Sequence, residues 1–316
     1  MLNREFMIIY KNKNIKWLVF MMLLSLPVLA QQNPQFTQYM YNTATINPAY
    51  AGSRGLLSIT GIYRSQWVGL EGAPKVAQFS LNTPIGVNGV GLGFSVYNEE
   101  IGPSIENNIA IDYSYTIPFS DKDTKFSFGL KTGFQLLDVD YNKLLIYNPT
   151  EPVFQTNIED RFQPIIGVGT MLHTDKWYVG LSVPNVLNTE HYDNSTISTA
   201  SERIHVFVTG GYVFDLNDMW KFKPAFLTSI VSGSPLGVDV SANFWYNQKL
   251  TLGAAYRVDA AISALAGFQV TDQLMVGYAY DTDTTDLGRY NDGSHEVFLR
   301  WELFTRTRNK ISPRFF

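Results

Sequence analysis

The chain has 316 residues, of which 14% are aromatic, 16% are charged and none is cysteine, and its formal net charge is −4. So small a net charge argues against nucleic acid as a partner, and without cysteine the fold is held by backbone pairing and packing instead of disulfide bonds. Many aromatic and few charged residues are typical of a protein with much apolar surface and no large helical core.

Residues 1–30 have the three parts of a signal peptide. A basic region containing Lys11, Lys13 and Lys16 precedes the apolar run 17–26, and the small-residue pattern that ends in Ala30 follows. The alternative is a transmembrane anchor, but the apolar run is shorter than the ~20 residues that a spanning helix needs. We therefore predict export, with cleavage after Ala30.

Residues 31–54 form a segment of different character. Its core, QFTQYMYNTATINPAYAG from Gln35 to Gly52, is rich in aromatic and amide side chains, carries no charge and does not alternate. Aromatic side chains bury large areas, and a disordered linker would contain fewer of them. The segment is therefore predicted to be ordered, with a plain linker as the alternative.

Residues 55–304 alternate between apolar and polar residues in about fourteen stretches, which predicts β-strands. Several reach ten residues, longer than the ~5–6 residues usual in globular proteins. In the clearest stretch, apolar residues share one face: Phe126, Phe128, Leu130, Phe134 and Leu136. In the last stretch Phe298 breaks the pattern, because it stands on the face of Glu296, Arg300 and Glu302.

The connections alternate in length. Short turns such as 85–88 and 247–248 alternate with longer loops such as 138–162, 184–200 and 281–294. Short turns on one rim and long loops on the other are typical of an outer-membrane barrel with its turns in the periplasm. We predict an all-β fold, a transmembrane barrel of about fourteen antiparallel strands over residues 55–304; a soluble sandwich is the alternative.

Two further segments complete the predicted organisation. Residues 31–54 are placed at the periplasmic rim as a plug in the lumen or a periplasmic contact. The basic tail 305–316 is predicted to be a solvated periplasmic extension, with an acidic partner or anionic lipid as the alternatives. The candidate plug or partner contacts are Gln35, Phe36, Gln38, Tyr39, Asn47, Pro48, Ala49, Tyr50, Gly52, Arg64, Gln66 and Trp67. For Trp67, at the start of a loop, an interfacial anchor is the alternative.

No stretch predicts catalysis or a cofactor. The carboxylates of Asp281, Asp283 and Asp286 are weak candidates for a Ca²⁺ site, but their spacing lacks the glycine and closing glutamate of an EF-hand. Ser294 and His295 are adjacent in a predicted strand, so their side chains point to opposite faces and cannot act as a nucleophile–base pair. A solvated outer loop is the better explanation of the three aspartates.

Several segments, in their order and spacing, resemble the PorP/SprF outer-membrane proteins of the type IX secretion system. They are QFTQYMYNTATINPAYAG, RSQWVGLEGAP at residues 64–74, LSVPNVL at residues 181–187 and the region from residue 234 to GSHEVFL. The resemblance covers essentially the whole chain after the signal peptide. It implies an outer-membrane barrel of Bacteroidetes-type bacteria that serves type IX secretion and gliding motility and has no catalytic residues.

The resemblance also implies partners. These are outer-membrane lipid, periplasmic components of the secretion system, and a large secreted adhesin or its C-terminal sorting domain. The sequence thus favours a non-enzymatic barrel that supports export or surface attachment of an adhesin. The alternative is a pore for a small apolar solute, since the predicted strand number and a plug-like segment suit such a transporter as well.

Overall fold

The computed structural model describes residues 36–86, 88–119, 123–144, 156–187, 189–190 and 201–303. The predicted signal peptide and basic tail lie outside these residues. The strands are β1 Leu57–Ser65, β2 Lys75–Ile85, β3 Val90–Ile101, β4 Ser104–Pro118, β5 Lys125–Val139, β6 Ile158–His173, β7 Trp177–Val183, β8 Thr189–Glu190, β9 Ser201–Glu202, β10 His205–Tyr212, β11 Phe214–Asp215, β12 Trp220–Val231, β13 Gly237–Tyr246, β14 Leu250–Arg257, β15 Ala261–Gln269, β16 Leu274–Asp283 and β17 Ser294–Leu303.

The strands form a closed antiparallel barrel. Each barrel strand pairs with its neighbours in sequence, β7 pairs with β10, and β1 pairs with β17 to complete the ring. β11 continues β10 after a break at Val213, and both pair with β12, while β8 and β9 form a separate small hairpin. The predicted barrel is therefore confirmed, with fourteen strands around the ring.

The two faces of the barrel wall differ in polarity as the alternation predicts. In β5, Ser127, Gly129 and Lys131 are buried on the inner face, whereas Phe128 and Leu130 are exposed on the outer face. A barrel in lipid has this arrangement, because outward side chains meet hydrocarbon and inward ones face a polar lumen. Within the described residues, no helix is long and apolar enough to cross a membrane.

The two rims are called the turn end and the loop end. At the turn end, connections are short: 86–89, 119–124, 174–176, 216–219, 247–249 and 270–273. At the loop end they include 66–74, 140–157, 184–204 and 284–293, and β1 runs from the turn end to the loop end. In outer-membrane barrels the short turns face the periplasm and the long loops face the outside.

Some predicted loop boundaries were wrong. The structure extends β5 to Val139 and begins β6 at Ile158, so Asp138 and Phe162 are strand residues instead of loop ends. Likewise Asp281 lies within β16. Polar residues near the loop end indicated loops in the sequence. The strands continue through these residues, because strands can pair outside the membrane without an apolar outer face.

Candidate functional site: the plug segment in the barrel lumen

Residues Phe36–Ser53, called the plug segment from here on, lie inside the barrel. They contain three short helical turns, Tyr39–Tyr41, Thr43–Ile46 and Pro48–Tyr50, and no strand. Nearly all of the segment is buried, with Gln38, Asn47 and Ala49 at 0% exposure. Because the segment carries no charged side chain, the charged groups that hold it come from the barrel wall.

At the loop end, Glu296 binds the start of the plug segment through the backbone. Its two carboxylate oxygens accept hydrogen bonds from the N–H groups of Thr37, at 2.9 Å, and Gln38, at 3.0 Å. Glu296 is fully buried near the loop end of β17. Hydrogen bonds to an ionised acceptor are about twice as strong as neutral ones, so this carboxylate is a strong anchor for the segment.

Arg64 joins Glu296 to a second carboxylate. Its guanidinium lies 3.0 Å from Glu296 Oε2 and 2.7 Å from Asp281 Oδ2, and it also donates to the hydroxyl oxygen of Thr37 at 2.8 Å. That hydroxyl in turn donates to Asp281 Oδ2 at 2.6 Å. A buried arginine is tolerated only when it is paired, and here two strands and the plug segment supply the partners together.

In the middle of the lumen, an apolar patch of the wall covers the plug aromatics. The ring of Tyr41 stacks on Phe298, with centroids 4.8 Å apart and an interplanar angle of 20°. The guanidinium group of Arg300 also contacts the ring of Tyr41, with its carbon Cζ 5.8 Å from the ring centroid. The patch that packs with Phe36, Tyr39, Met40 and Tyr41 consists of Ile62, Val76, Leu227, Leu265, Met275, Ala279 and Phe298.

Tyr39 and Tyr41 of the plug segment are neutral at physiological pH. Burial raises the pKa of Tyr39 well above its usual value and that of Tyr41 to about 12. The hydroxyl of Tyr39 lies 3.4 Å from Ser241 Oγ of the wall. The plug segment therefore presents hydrogen-bonding groups without a charge.

Towards the turn end, the plug backbone lies directly against wall glycines. Asn47 donates from Nδ2 to the carbonyl of Thr170 at 3.0 Å, and its Oδ1 accepts from the N–H of Ala49 at 2.9 Å. A Cβ added to Gly129 would lie 2.3 Å from Ala49 N, and one added to Gly169 would lie within 2.1 Å of Asn47 Oδ1. Only glycine at these two inward positions leaves room for the segment.

The segment leaves the lumen at the turn end. Ser114 Oγ donates to the carbonyl of Ala51 at 2.7 Å, and Gly52 adopts a φ of +67° close to Gly91 of β3. Arg54, the first charged residue after the segment, forms a buried ion pair with Glu302, donating from Nε at 2.6 Å. The chain then enters β1 at Leu57.

The described part of the segment lies in the lumen, which is one of its two predicted positions, but its path differs from the prediction. The alternating loop lengths predict that residues 31–54 lie at the periplasmic rim and enter the lumen from there, whereas Phe36 and Thr37 lie at the loop end and only Ala51 to Arg54 lie at the turn end. Loop lengths could not show that the segment reaches Arg64 and Glu296. The plug segment thus spans the lumen from one end to the other.

Most of the candidate contact residues come together in the lumen. Phe36, Gln38, Tyr39, Asn47, Pro48, Ala49, Tyr50 and Arg64 are buried there, with Gly52 at the exit. Gln66 and Trp67 instead lie in the loop after β1, where Trp67 has a φ of +45° and its N–H donates to Ser294 Oγ. Gln35 lies outside the described residues.

The three candidate metal ligands do not converge. Asp281 is buried against Arg64, Asp283 accepts a hydrogen bond from Asn291, and Asp286 is exposed beside Arg289. Among the residues that the structure describes, no three His, Cys, Asp or Glu side chains are placed to hold a metal ion. Ser294 points inward, while His295 contacts the hydroxyl of Tyr278 through Nδ1 at 2.6 Å.

Sequence reasoning missed the wall residues that hold the segment. They include Ser114, Gly129, Gly169, Thr170, Glu296 and Phe298, and Glu302 likewise holds Arg54 just after the segment. One signal was present: Phe298 is an aromatic residue on the polar face of its strand, and Gly277 stands opposite it in β16. A Cβ on Gly277 would lie 1.8 Å from the Phe298 ring, so the glycine makes room for the inward aromatic side chain.

The family profile of the type IX secretion system membrane protein PorP/SprF matches residues 28–301. The chain belongs to this family. The PorP/SprF match includes the plug segment and all of the barrel except the end of β17. The profile therefore covers the plug as well as the wall. None of the curated proteins matches this chain significantly.

Several solved outer-membrane proteins are similar to this chain at low scores. Omp33 of Acinetobacter baumannii is 8% identical, with a TM-score of 0.47 over 78% of this chain and 98% of that one. The NanC porin is 10% identical, with a TM-score of 0.43 over 79% and 100%. A mutant porin of Rh. blastica is 12% identical, with a TM-score of 0.34 over 78% and 99%. Since these scores are low, the fold assignment depends on the strand pairing itself.

Proposed function

We propose that this PorP/SprF protein is a closed, non-enzymatic docking barrel of the type IX secretion system. It binds a large secreted adhesin, through the adhesin's C-terminal sorting domain, at the loop end. It binds periplasmic components of the secretion system at the turn end. In this way it supports export or surface attachment of the adhesin and, in gliding cells, motility.

The observation that carries the proposal is the plug segment held along its whole length by the wall. Glu296 and Arg64 hold one end, Phe298 stacks on the middle, and Thr170 and Ser114 bind the other end. A lumen filled in this way favours a role in which both rims bind proteins. Passage of solute would require breaking these contacts.

The outer face supports contact with lipid as the third partner. Outward side chains such as Leu130, Ile166, Leu181 and Leu299 are between 48% and 56% exposed. Exposed apolar surface on this scale needs a hydrocarbon environment. The barrel is thus proposed to lie in outer-membrane lipid, with its two rims free for protein partners.

The alternative function, a pore for a small apolar solute, has less support. A cavity next to Phe36 and Ile46 has a volume of about 90 Å³ and is lined by apolar side chains such as Ile165 and Phe207 together with polar ones such as Lys131. Small-molecule sites usually have volumes of roughly 300–1,000 Å³, so this cavity is too small for one. Flux of fatty acid into liposomes containing the purified barrel would favour the pore.

Deletion of the gene in the native strain tests the docking proposal. We expect one large adhesin to disappear from the cell surface, while other type IX clients are displayed normally. Re-expression of the wild-type barrel should restore the adhesin. The proposal fails if whole-cell labelling finds the same surface proteins in the deletion strain and its parent.

A further inference from the structure

We propose that the lumen binds one arginine side chain of a protein partner at the loop end. The guanidinium group lies between the facing carboxyl groups of Glu99 and Glu106, over the cavity beside Phe36. This binding site rests on the proposed docking of a protein at the loop end, and it adds the chemistry of that contact.

Glu99 and Glu106 form an opposed pair on the inner face of the wall. They stand directly opposite each other in β3 and β4, next to the tight connection 102–103 at the loop end. Opposed side chains have Cβ atoms about 4.5–5.5 Å apart, so two such carboxyl groups can bind one cation between them. One oxygen of Glu106 accepts a 2.6 Å hydrogen bond from the hydroxyl of Tyr97, and its other oxygen is available to a ligand.

The pair has no cation although it is largely buried. Glu99 is only 6% exposed. Among the residues that the structure describes, none forms an ion pair or a hydrogen bond with it. A buried carboxylate without a partner is costly, so a cation supplied by a bound protein would remove a cost that the barrel carries alone.

The basic side chains described near the pair are held elsewhere. Arg64 is already bound to two carboxylates, and Val76 of β2 lies between it and Glu99. Arg161 lies beyond Leu137 of β5 as seen from the pair. Lys131, deeper in the lumen, is bound at 2.9 Å to an aspartate of β4. The cation for the pair therefore has to come from another molecule.

The cavity of about 90 Å³ lies on the turn-end side of the pair. Tyr97 and Asn108 line it, and each stands two residues from Glu99 or Glu106 on the same inner face. At about 10–15 Å³ for each water-sized group, the cavity has room for roughly 6–9 of them. A planar guanidinium group and its bound water, entering from the loop end, are thus accommodated without displacing the plug segment.

An arginine side chain suits this site better than a metal ion. Guanidinium binds carboxylates through two parallel hydrogen bonds and stacks on aromatic rings, and Tyr97 and Phe36 supply rings at the cavity. Ca²⁺ takes roughly 6–8 oxygen ligands. Over the described ranges of the chain, no three acidic, histidine or cysteine side chains are placed to hold a metal ion.

Binding of a small arginine probe to the purified full-length barrel in detergent tests the proposal. The probe is Nα-acetyl-arginine amide, and its neutral isostere Nα-acetyl-citrulline amide is the matched control; saturation-transfer NMR measures binding of both. Glu99→Gln and Glu106→Gln each remove one carboxylate. Glu100→Gln, at an exposed position next to Glu99, is the control variant, and thermal unfolding checks that every variant is folded.

We expect the wild type and Glu100→Gln to bind the arginine probe equally well, and at least about tenfold more tightly than the citrulline probe. Loss of a hydrogen bond to a charged group should weaken binding by at least about tenfold in Glu99→Gln and Glu106→Gln. Equal binding of the two probes by the wild type, or undiminished binding by Glu99→Gln, would overturn the proposal.

Calcium provides a further check on the kind of ligand. Displacement of the arginine probe by about 1 mM CaCl₂, a concentration at which extracellular calcium modules bind, would make this a metal site and overturn the assignment to arginine. Because neither probe involves the adhesin, failure of probe binding and failure of the docking proposal are separate results.

Discussion

Tyr41 of the plug segment stacks on Phe298 of the last strand, with ring centroids 4.8 Å apart. Phe298 is the inward residue between Glu296 and Arg300, and it is fully buried. Phe298, which breaks the alternation of β17, is thus the residue that contacts the aromatic, uncharged segment near the amino terminus. An inward aromatic residue in a barrel strand indicates that something apolar fills the lumen at that level.

Replacing Phe298 by alanine should destabilise the barrel strongly. Truncation of a buried phenylalanine costs about 3–5 kcal/mol, because transfer energy is lost and a cavity remains. We expect a lower melting temperature of the detergent-purified protein. The matched control is Leu299→Ala on the neighbouring outward position, which is 50% exposed. Equal shifts for the two variants would show that the lumen contact contributes nothing of its own.

Glu296→Gln should also destabilise the protein, although the shape of the side chain is kept. The new amide group is a donor and would face either Arg64 or the N–H groups of Thr37 and Gln38, which are donors too. Breaking a buried ion pair on one side costs about 3–5 kcal/mol. Thermal unfolding measures the loss.

The control for Glu296 is Asp286→Asn. Asp286 pairs with Arg289 at the surface, where both side chains are more than three-quarters exposed. Exposed pairs contribute about 0–1 kcal/mol, so this variant should unfold like the wild type. A Glu296→Gln protein that also unfolds like the wild type would contradict the assigned anchoring role.

Gly129→Ala should displace the plug segment and make the outer membrane leaky. The added Cβ would lie 2.3 Å from the backbone nitrogen of Ala49. Neither the backbone of the plug segment nor that of β5 can move away easily. We expect cells that carry the variant to become sensitive to large antibiotics such as vancomycin. Gly61→Ala is the control, because its Cβ has no neighbour closer than 4.0 Å. Leakiness with both variants, or with neither, would argue against the contact.

Glu99→Gln should stabilise the barrel. Glu99 is 6% exposed and stands directly opposite Glu106 in β4, which accepts a 2.6 Å hydrogen bond from Tyr97. Within the described part of the chain, Glu99 has no ion pair or hydrogen bond. Burying two facing carboxyl groups without a cationic partner destabilises a strand pair, so the melting temperature at neutral pH should rise, with exposed Glu100→Gln as the unchanged reference. A fall would show that Glu99 has a stabilising cationic partner.

The sequence allowed the barrel to be predicted because its pattern is repetitive. In β5, for example, Phe128 and Leu130 alternate with Ser127 and Lys131. This period of two directly gives the inner and outer faces of the wall. The ends of the strands were harder to predict, as Asp138 and Phe162 illustrate. Strand pairing continues beyond the point where apolar and polar residues stop alternating.

The contacts of the plug segment could be predicted only in part. Its aromatic side chains and Asn47–Pro48 indicated an ordered segment, and Arg64 was singled out near a strand end. Glu296 and Asp281 could not be assigned as the partners of Arg64, since they lie more than 200 positions away and only barrel closure brings β1, β16 and β17 together. The direction of the segment likewise depends on these long-range pairs.

The central claim is that the chain closes its own barrel with the plug segment. Planar-bilayer recordings of the purified wild-type protein and of a variant lacking residues 36–53 test it most directly. We predict that the wild type is silent and that the deletion variant conducts steadily, because removal of the segment empties a lumen lined by polar side chains. Steady, porin-like conductance of the wild-type protein would contradict the account.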